Sequence, residues 1–244
     1  MIDKYTIYKQ AIQVRKWLGE SDSSPLDIYA LAQNISGLSL VLYPMGENIS
    51  GMCVRTERTA VIAINSSMSI GRQNFSLAHE LYHYYFDITP QTVICKKEIG
   101  SKINDIEMAA DRFASYLLMP LEGDIIKEDE DITFEKVIAL GQYYKVSNQA
   151  MLYRLIDEGY ISEKKAELYK RGVIRVAETL GYDTSLYKCS RPEKKEKTYG
   201  HYIKLTQQVL DKDLVSDGKY EQLLLEAFRA DLVYGTDDGE ELDD

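Results

Sequence analysis

The sequence predicts an α+β protein, with a small sheet and a site-bearing helix in the first half and a mainly helical region after them. Three observations carry this. Strand-like apolar runs, "LSLVLYP" and "GMCVRTERTAVIAIN", lie between residues 38 and 65. Residues 72–86 and a stretch from about Asp105 to Met119 repeat apolar side chains at the helical period. Beyond residue 133, helical segments follow one another with Ser and Gly at their junctions.

The elements read as follows. Residues 3–18 place Ile7, Ala11, Val14 and Leu18 on one helical face. "SPLDIYALAQNI" predicts a helix with Ser24 as N-cap and Pro25 at N1, ended by Gly37. "LSLVLYP" predicts a strand, and "GMCVRTERTAVIAIN" two short strands turning near Glu57-Arg58. "TAVIAIN" reads equally well as a buried strand or as an edge strand that pairs with an extended ligand. The helix at 72–86 follows, then a polar connection, then the helix stopped by Pro120. Two helices meet near Val146-Ser147, with Ser147 capping the second, and "ISEKKAELYKRGVIRVAETLG" holds one or two more. "KCSRPEKKEKTYG" lacks apolar periodicity and reads as a linker, and the region from Tyr202 as helix, Gly218 turn, helix. The expected organisation is a mixed domain at 1–125, a helical, helix-turn-helix-like subdomain packed on it at 126–170, a helical extension at 171–234 and a disordered acidic tail at 235–244.

The chain has 244 residues and a formal net charge of −10. Asp237, Asp238, Glu240, Glu241, Asp243 and Asp244 contribute six of the negative charges, and without them 29 basic side chains face 33 acidic ones. That balance argues against a general phosphate-binding surface. Cys53, Cys95 and Cys189 are odd in number and far apart, with no C-x-x-C, as expected in a reduced compartment. The charged N-terminus has no signal-peptide core, and no uncharged run is apolar enough to span a membrane, so the expected location is cytoplasmic. The N-x-S matches at Asn34, Asn48, Asn65 and Asn74 are read as chance.

Chemistry concentrates in "NFSLAHELYHYYFD", which holds two of the chain's three histidines. A helix sets residues four apart on one face, so His79 and His83 can address one ion. Glu80 lies beside the pair, placed to take a proton from water without occupying a coordination position. This is the logic of H-E-x-x-H, and it points to zinc. The alternative is an amphipathic helix that happens to carry two histidines, and the five residues alone leave it open. A catalytic zinc needs a third protein ligand. The continuation H-E-x-x-H-x-x-G-x-x-H is excluded, because Phe86 and Thr89 stand at its Gly and His. His201 is distant and lies in a polar stretch. Glu107 is the better candidate, since Ala110, Ala114 and Leu117 follow it on one apolar face, where a carboxylate needs a partner or a metal. Alone, Glu107 reads as a salt-bridge partner at a helix start. Asp111, one turn on, is placed to accept a hydrogen bond from a ligand histidine and fix its tautomer.

"FSLAHELYHYYF" followed by "EMAADRFASYLLMP" resembles the ImmA/IrrE family of bacterial metallopeptidases. Phe75, Ala78, His79, Glu80 and His83 match F-x-x-A-H-E-x-x-H. Glu107, Ala110, Phe113, Ala114, Leu117, Leu118, Met119 and Pro120 match E-x-x-A-x-x-F-A-x-x-L-L-M-P. "YYKVSNQAMLYRL" is similar to the segment that follows, and the likeness covers about residues 1–160. Tyr82 and Asp111 stand where Gly and Asn are common. The resemblance implies a zincin-like peptidase core at 1–125, Zn2+ on His79, His83 and Glu107, Glu80 as the catalytic base, and a protein substrate, a helix-turn-helix transcriptional repressor in a mobile-element, phage or stress-response circuit. Tyr82, Tyr84 and Tyr85 are nearby candidates for an oxyanion donor, without a choice among them. Two other readings remain: a partner-binding regulatory module that keeps the fold but does not cleave, and a DNA-binding regulator using "VSNQAMLYRL". The acidic balance opposes direct nucleic-acid binding.

Overall fold

The computed structural model describes residues 3–87, 92–96, 99–100, 105–121, 126, 131–190 and 195–235. Helix α1 (Lys4–Trp17) opens on Asp3, whose side chain accepts from the Thr6 N–H, and it buries Ile7, Ala11 and Val14 as the spacing predicts. Helix α2 (Ile28–Gln33) starts later than expected. Its N-cap is Asp27, which accepts from the Ala30 N–H, and not Ser24. Ser24 is engaged elsewhere, since its backbone carbonyl accepts from the buried Arg15 guanidinium.

The sheet holds β1 (Leu38–Tyr43), β2 (Ile49–Arg55), β3 (Ala60–Asn65), β4 (Thr92–Lys96) and β5 (Lys197–Gly200), in the spatial order β4-β2-β3-β1-β5. β1 and β3 pair in parallel, and every other pair is antiparallel. The "TAVIAIN" strand, β3, therefore lies inside the sheet with neighbours on both sides. Its edge-strand reading is excluded, because its backbone hydrogen bonds are already taken. The edges are β4 and β5. Neither was expected: "TVICK" lies in the presumed polar connection and "KTYG" in the presumed linker. β5 belongs to the region expected as a helical extension, yet it pairs with β1 from Ser39↔Gly200 to Leu42↔Lys197.

Asn65, at the end of β3, organises the exit toward the next helix. Its side-chain amide donates to the Ile49 carbonyl at 2.7 Å, and its oxygen accepts from the Met45 and Ser67 N–H groups. A side chain so committed is no glycan acceptor. Helix α3 (Ile70–Phe86) then packs under β2 and β3, with every residue from Gly71 to His83 buried. Gly71 is needed there, because a Cβ would stand 2.6 Å from the Ser147 backbone nitrogen. Helix α4 (Asp105–Leu118) packs against both α1 and α3.

The end of α4 explains "LLMP". Helix C-termini leave carbonyls unpaired, and here buried donors supply the partners. Arg15 reaches the Leu117 carbonyl, Arg154 Nε donates to that of Met119 at 3.2 Å, and the Tyr144 hydroxyl to that of Pro120 at 2.7 Å. Three separate segments thus fix α4 and, with it, Glu107.

Helices α5 (Phe134–Tyr143) and α6 (Asn148–Asp157) form the expected corner, with Ser147 accepting from the Ala150 N–H. The turn faces inward: the Asn74 amide donates to the Lys145 carbonyl at 2.6 Å, and Gly71 abuts Ser147. Helices α7 (Glu163–Leu168) and α8 (Val173–Thr179), and a 3-10 turn at Ser185–Tyr187, lead to β5. Helices α9 (His201–Asp211), α10 (Asp217–Glu226) and α11 (Ala230–Tyr234) follow. Gly218 is not a turn but lies in the first turn of α10, which Ser216 caps through the Lys219 N–H. Beyond Gly235, the acidic tail expected to be disordered lies outside the described residues. Among the described residues no helix is long and apolar enough to cross a membrane.

Candidate metal centre

The helical period brings His79 and His83 to one face of α3, and their Nε2 atoms lie 3.4 Å apart. α4 crosses α3 and delivers Glu107 to the same point. One carboxylate oxygen lies 3.4 Å from His79 Nε2, the other 3.5 Å from His83 Nε2. These separations bear directly on metal binding. Bonds of about 2.0–2.2 Å at tetrahedral angles set donor atoms roughly 3.3–3.5 Å apart, so one ion fits between the three side chains. The histidines are buried, whereas Glu107 is 27% exposed in its side chain and marks the open side.

Asp111 stands one turn beyond Glu107, its Oδ1 2.8 Å from His79 Nδ1. With Nδ1 turned to this carboxylate, Nε2 faces the centre, where its lone pair would be available to an ion. The other oxygen of Asp111 accepts from the Gly100 N–H at 2.5 Å. Asp87, four residues beyond His83, lies 3.4 Å from His83 Nδ1 and turns that ring the same way. Sequence reading missed Asp87, although its spacing from His83 was available.

The clustered side chains share protons. Burial lowers the His79 pKa, but hydrogen bonds with Asp111, Cys95 and Glu107 outweigh it and hold His79 well above the ordinary value. Burial and the neighbouring His79 push His83 down. Burial raises Glu107, and the two histidines pull it back below its usual range. An ion would take over the role of that shared proton, with both rings neutral.

Glu80 differs from all of these. It is completely buried, and its carboxylate oxygens meet no nitrogen or oxygen donor; only the Cys95 thiol adjoins it. Burial raises its pKa to about 7. Burying a carboxylate away from strong donors is costly, and this one lies beside the His79, His83 and Glu107 group. Room for it comes from Gly51 on β2, where a Cβ would approach Glu80 Oε1 to 2.9 Å. Gly51 was not singled out in the sequence, since its role depends on a strand and a helix meeting.

Cys95 on β4 was also missed. Its sulfur and the donor atoms of His79, His83 and Glu107 all lie within 4.8 Å of one another. His201 begins α9 beside the β5–β1 pairing and is not in this group. The three candidate tyrosines lie in different surroundings. Tyr82 packs among His83, Phe86 and Phe113, the Tyr84 hydroxyl donates to the Ser36 carbonyl, and Tyr85 packs on Trp17.

A small mixed sheet over a helix carrying two histidines and a glutamate, with an acidic side chain from the next helix beside them, defines a zincin-like core. Comparison with known proteins agrees. Residues 39–156 match the Peptidase_M78 family model, the IrrE N-terminal-like domain. The chain is also 28% identical, over 118 residues, to "Uncharacterized immunity region protein 2" of Bacillus phage phi105. That match covers 48% of this chain and 70% of the phage protein.

Proposed function

We propose that this protein is a zinc-dependent endopeptidase that cleaves or controls a helix-turn-helix transcriptional repressor in a mobile-element, phage or stress-response circuit. The observation that carries the catalytic half is Glu80, a buried carboxylate with no nitrogen or oxygen donor beside three side chains spaced for one ion. The family resemblance supplies the substrate class, and a relative named for a phage immunity region is in keeping with it.

His79, His83 and Glu107 would hold the zinc. When bound, zinc supplies a Lewis acid that polarises the scissile carbonyl and makes water nucleophilic near neutral pH. The residues do the rest. Asp111 keeps His79 in the tautomer whose Nε2 faces the centre. Glu80 takes the proton of the attacking water and passes it to the leaving amine. Gly51 leaves space for that carboxylate to move between them. The inward-facing turn of the α5–α6 corner and the net charge of −10 favour a protein substrate over direct nucleic-acid binding.

The test is Glu80→Gln. It should keep about one zinc per chain, since Glu80 is not a ligand, and lose cleavage of the co-encoded repressor. His79→Ala/His83→Ala should lose the metal. If zinc-loaded wild type binds the co-encoded regulators and cuts none of them, the non-cleaving module is the correct reading.

A further inference from the structure

The mechanism leaves Cys95 unused, and strand register shows where it points. Cys95 pairs with Gly51 across the antiparallel β2–β4 ladder, and directly paired residues send their side chains to the same face. The Cβ direction at Gly51 runs into the Glu80 carboxylate, so this face of the sheet looks onto α3. Cys95 is completely buried there, adjoins both His79 and Glu80, and completes the four-residue group. Zinc with one sulfur at about 2.3 Å and nitrogen at about 2.0–2.1 Å needs them roughly 3.6 Å apart. The group's span of 4.8 Å therefore lies little more than roughly an ångström beyond a closed tetrahedron. β4 covers it as an edge strand that, among the described residues, pairs with β2, and β2 carries a register irregularity between Ile49 and Gly51.

We propose that Cys95 is a fourth, reversible zinc ligand that holds this protein latent. The inference rests on the zinc reading above. Three protein ligands leave a coordination position for water, and four close it. In the closed state the Cys95 S–H bond breaks, its proton passes to solvent, the sulfur donates an electron pair to the ion, and the water in that position leaves. Glu80 then has no water to deprotonate. Activation is the reverse exchange: Cys95 regains a proton, water returns, and β4 backs away from the centre.

The full chain loaded with Co2+ in place of zinc tests this without an activity assay. Wild type should show the visible bands of four-coordinate cobalt together with a near-ultraviolet thiolate-to-cobalt band. Cys95→Ser should lose the thiolate band, and Cys53→Ser and Cys189→Ser should keep it. X-ray absorption of the zinc protein should show one sulfur at about 2.3 Å. Chelator competition should find zinc held at least about tenfold more weakly by Cys95→Ser, since losing a ligand costs no less than losing a ligand's partner. The wild-type spectra carry the test even if a substitution at this buried position impairs folding. Cobalt bound with no thiolate band overturns the proposal and leaves the zinc reading standing. A wild type that takes up neither metal overturns both.

Discussion

Asp111→Asn separates the metal centre from the catalytic step. Asp111 is 5% exposed and accepts two hydrogen bonds, from His79 Nδ1 at 2.8 Å and the Gly100 N–H at 2.5 Å. Asparagine preserves the shape but replaces one oxygen with an NH2 group. One of the two donors then meets another donor. If the remaining oxygen serves Gly100, His79 loses the acceptor that holds the proton on Nδ1, and its Nε2 is no longer fixed as a lone pair toward the ion. A buried donor left unsatisfied costs about 1–3 kcal/mol. Loss of a ligand's outer partner costs roughly 10–100-fold in metal affinity, or about 1.4–2.7 kcal/mol. The two figures agree, so the expected zinc Kd rises by about one to two powers of ten. Competition against a chromophoric chelator measures it, with thermal melting of the metal-free proteins showing that both are folded. A zinc Kd indistinguishable from wild type would refute the role given to Asp111.

Two further outcomes are expected. Gly51→Ala places a methyl group 2.9 Å from Glu80 Oε1 and 3.0 Å from the Ala63 carbonyl, at a position without positive φ. It should cost about 1–3 kcal/mol in denaturant stability and reduce repressor cleavage about tenfold or more, as Glu80 is pushed off its water. Zinc content should be unchanged. Asp231→Asn breaks the contacts that tie α11 to β5, where Asp231 pairs with Arg229 at 2.8 Å and Lys197 at 3.0 Å. Hydrogen bonding to Arg229, then to Lys197, lowers the Asp231 pKa from 3.8 to about 2. A depressed folded-state pKa stabilises the fold above the unfolded value, and that stabilisation disappears as pH falls through the folded value. Wild type should therefore exceed the variant by about 0.5–1 kcal/mol at neutral pH. The difference measured by urea denaturation should shrink as pH drops from 3.8 toward 2.

The parts of this protein that local periodicity governs were legible in the sequence. The four-residue spacing of His79 and His83 puts them on one face of any helix, and Glu107 and Asp111 share a helix face for the same reason. Ser147 could be read as a cap because capping depends on the next three residues alone. The competition for Ser24 could not, because Arg15 reaches it only once α1 and α4 have packed. β4 and β5 were hidden because an edge strand is defined by its partner: "KTYG" becomes a strand through hydrogen bonds to Ser39–Leu42, far away in sequence. Gly51 and Cys95 carry no motif of their own. They matter because β2 and β4 pair in one register over α3, bringing the missing Cβ of one and the sulfur of the other to Glu80. The sequence thus determined which side chains can hold a metal. The tertiary structure decided which further residue can reach it, since that depends on contacts between elements and not on spacing within them.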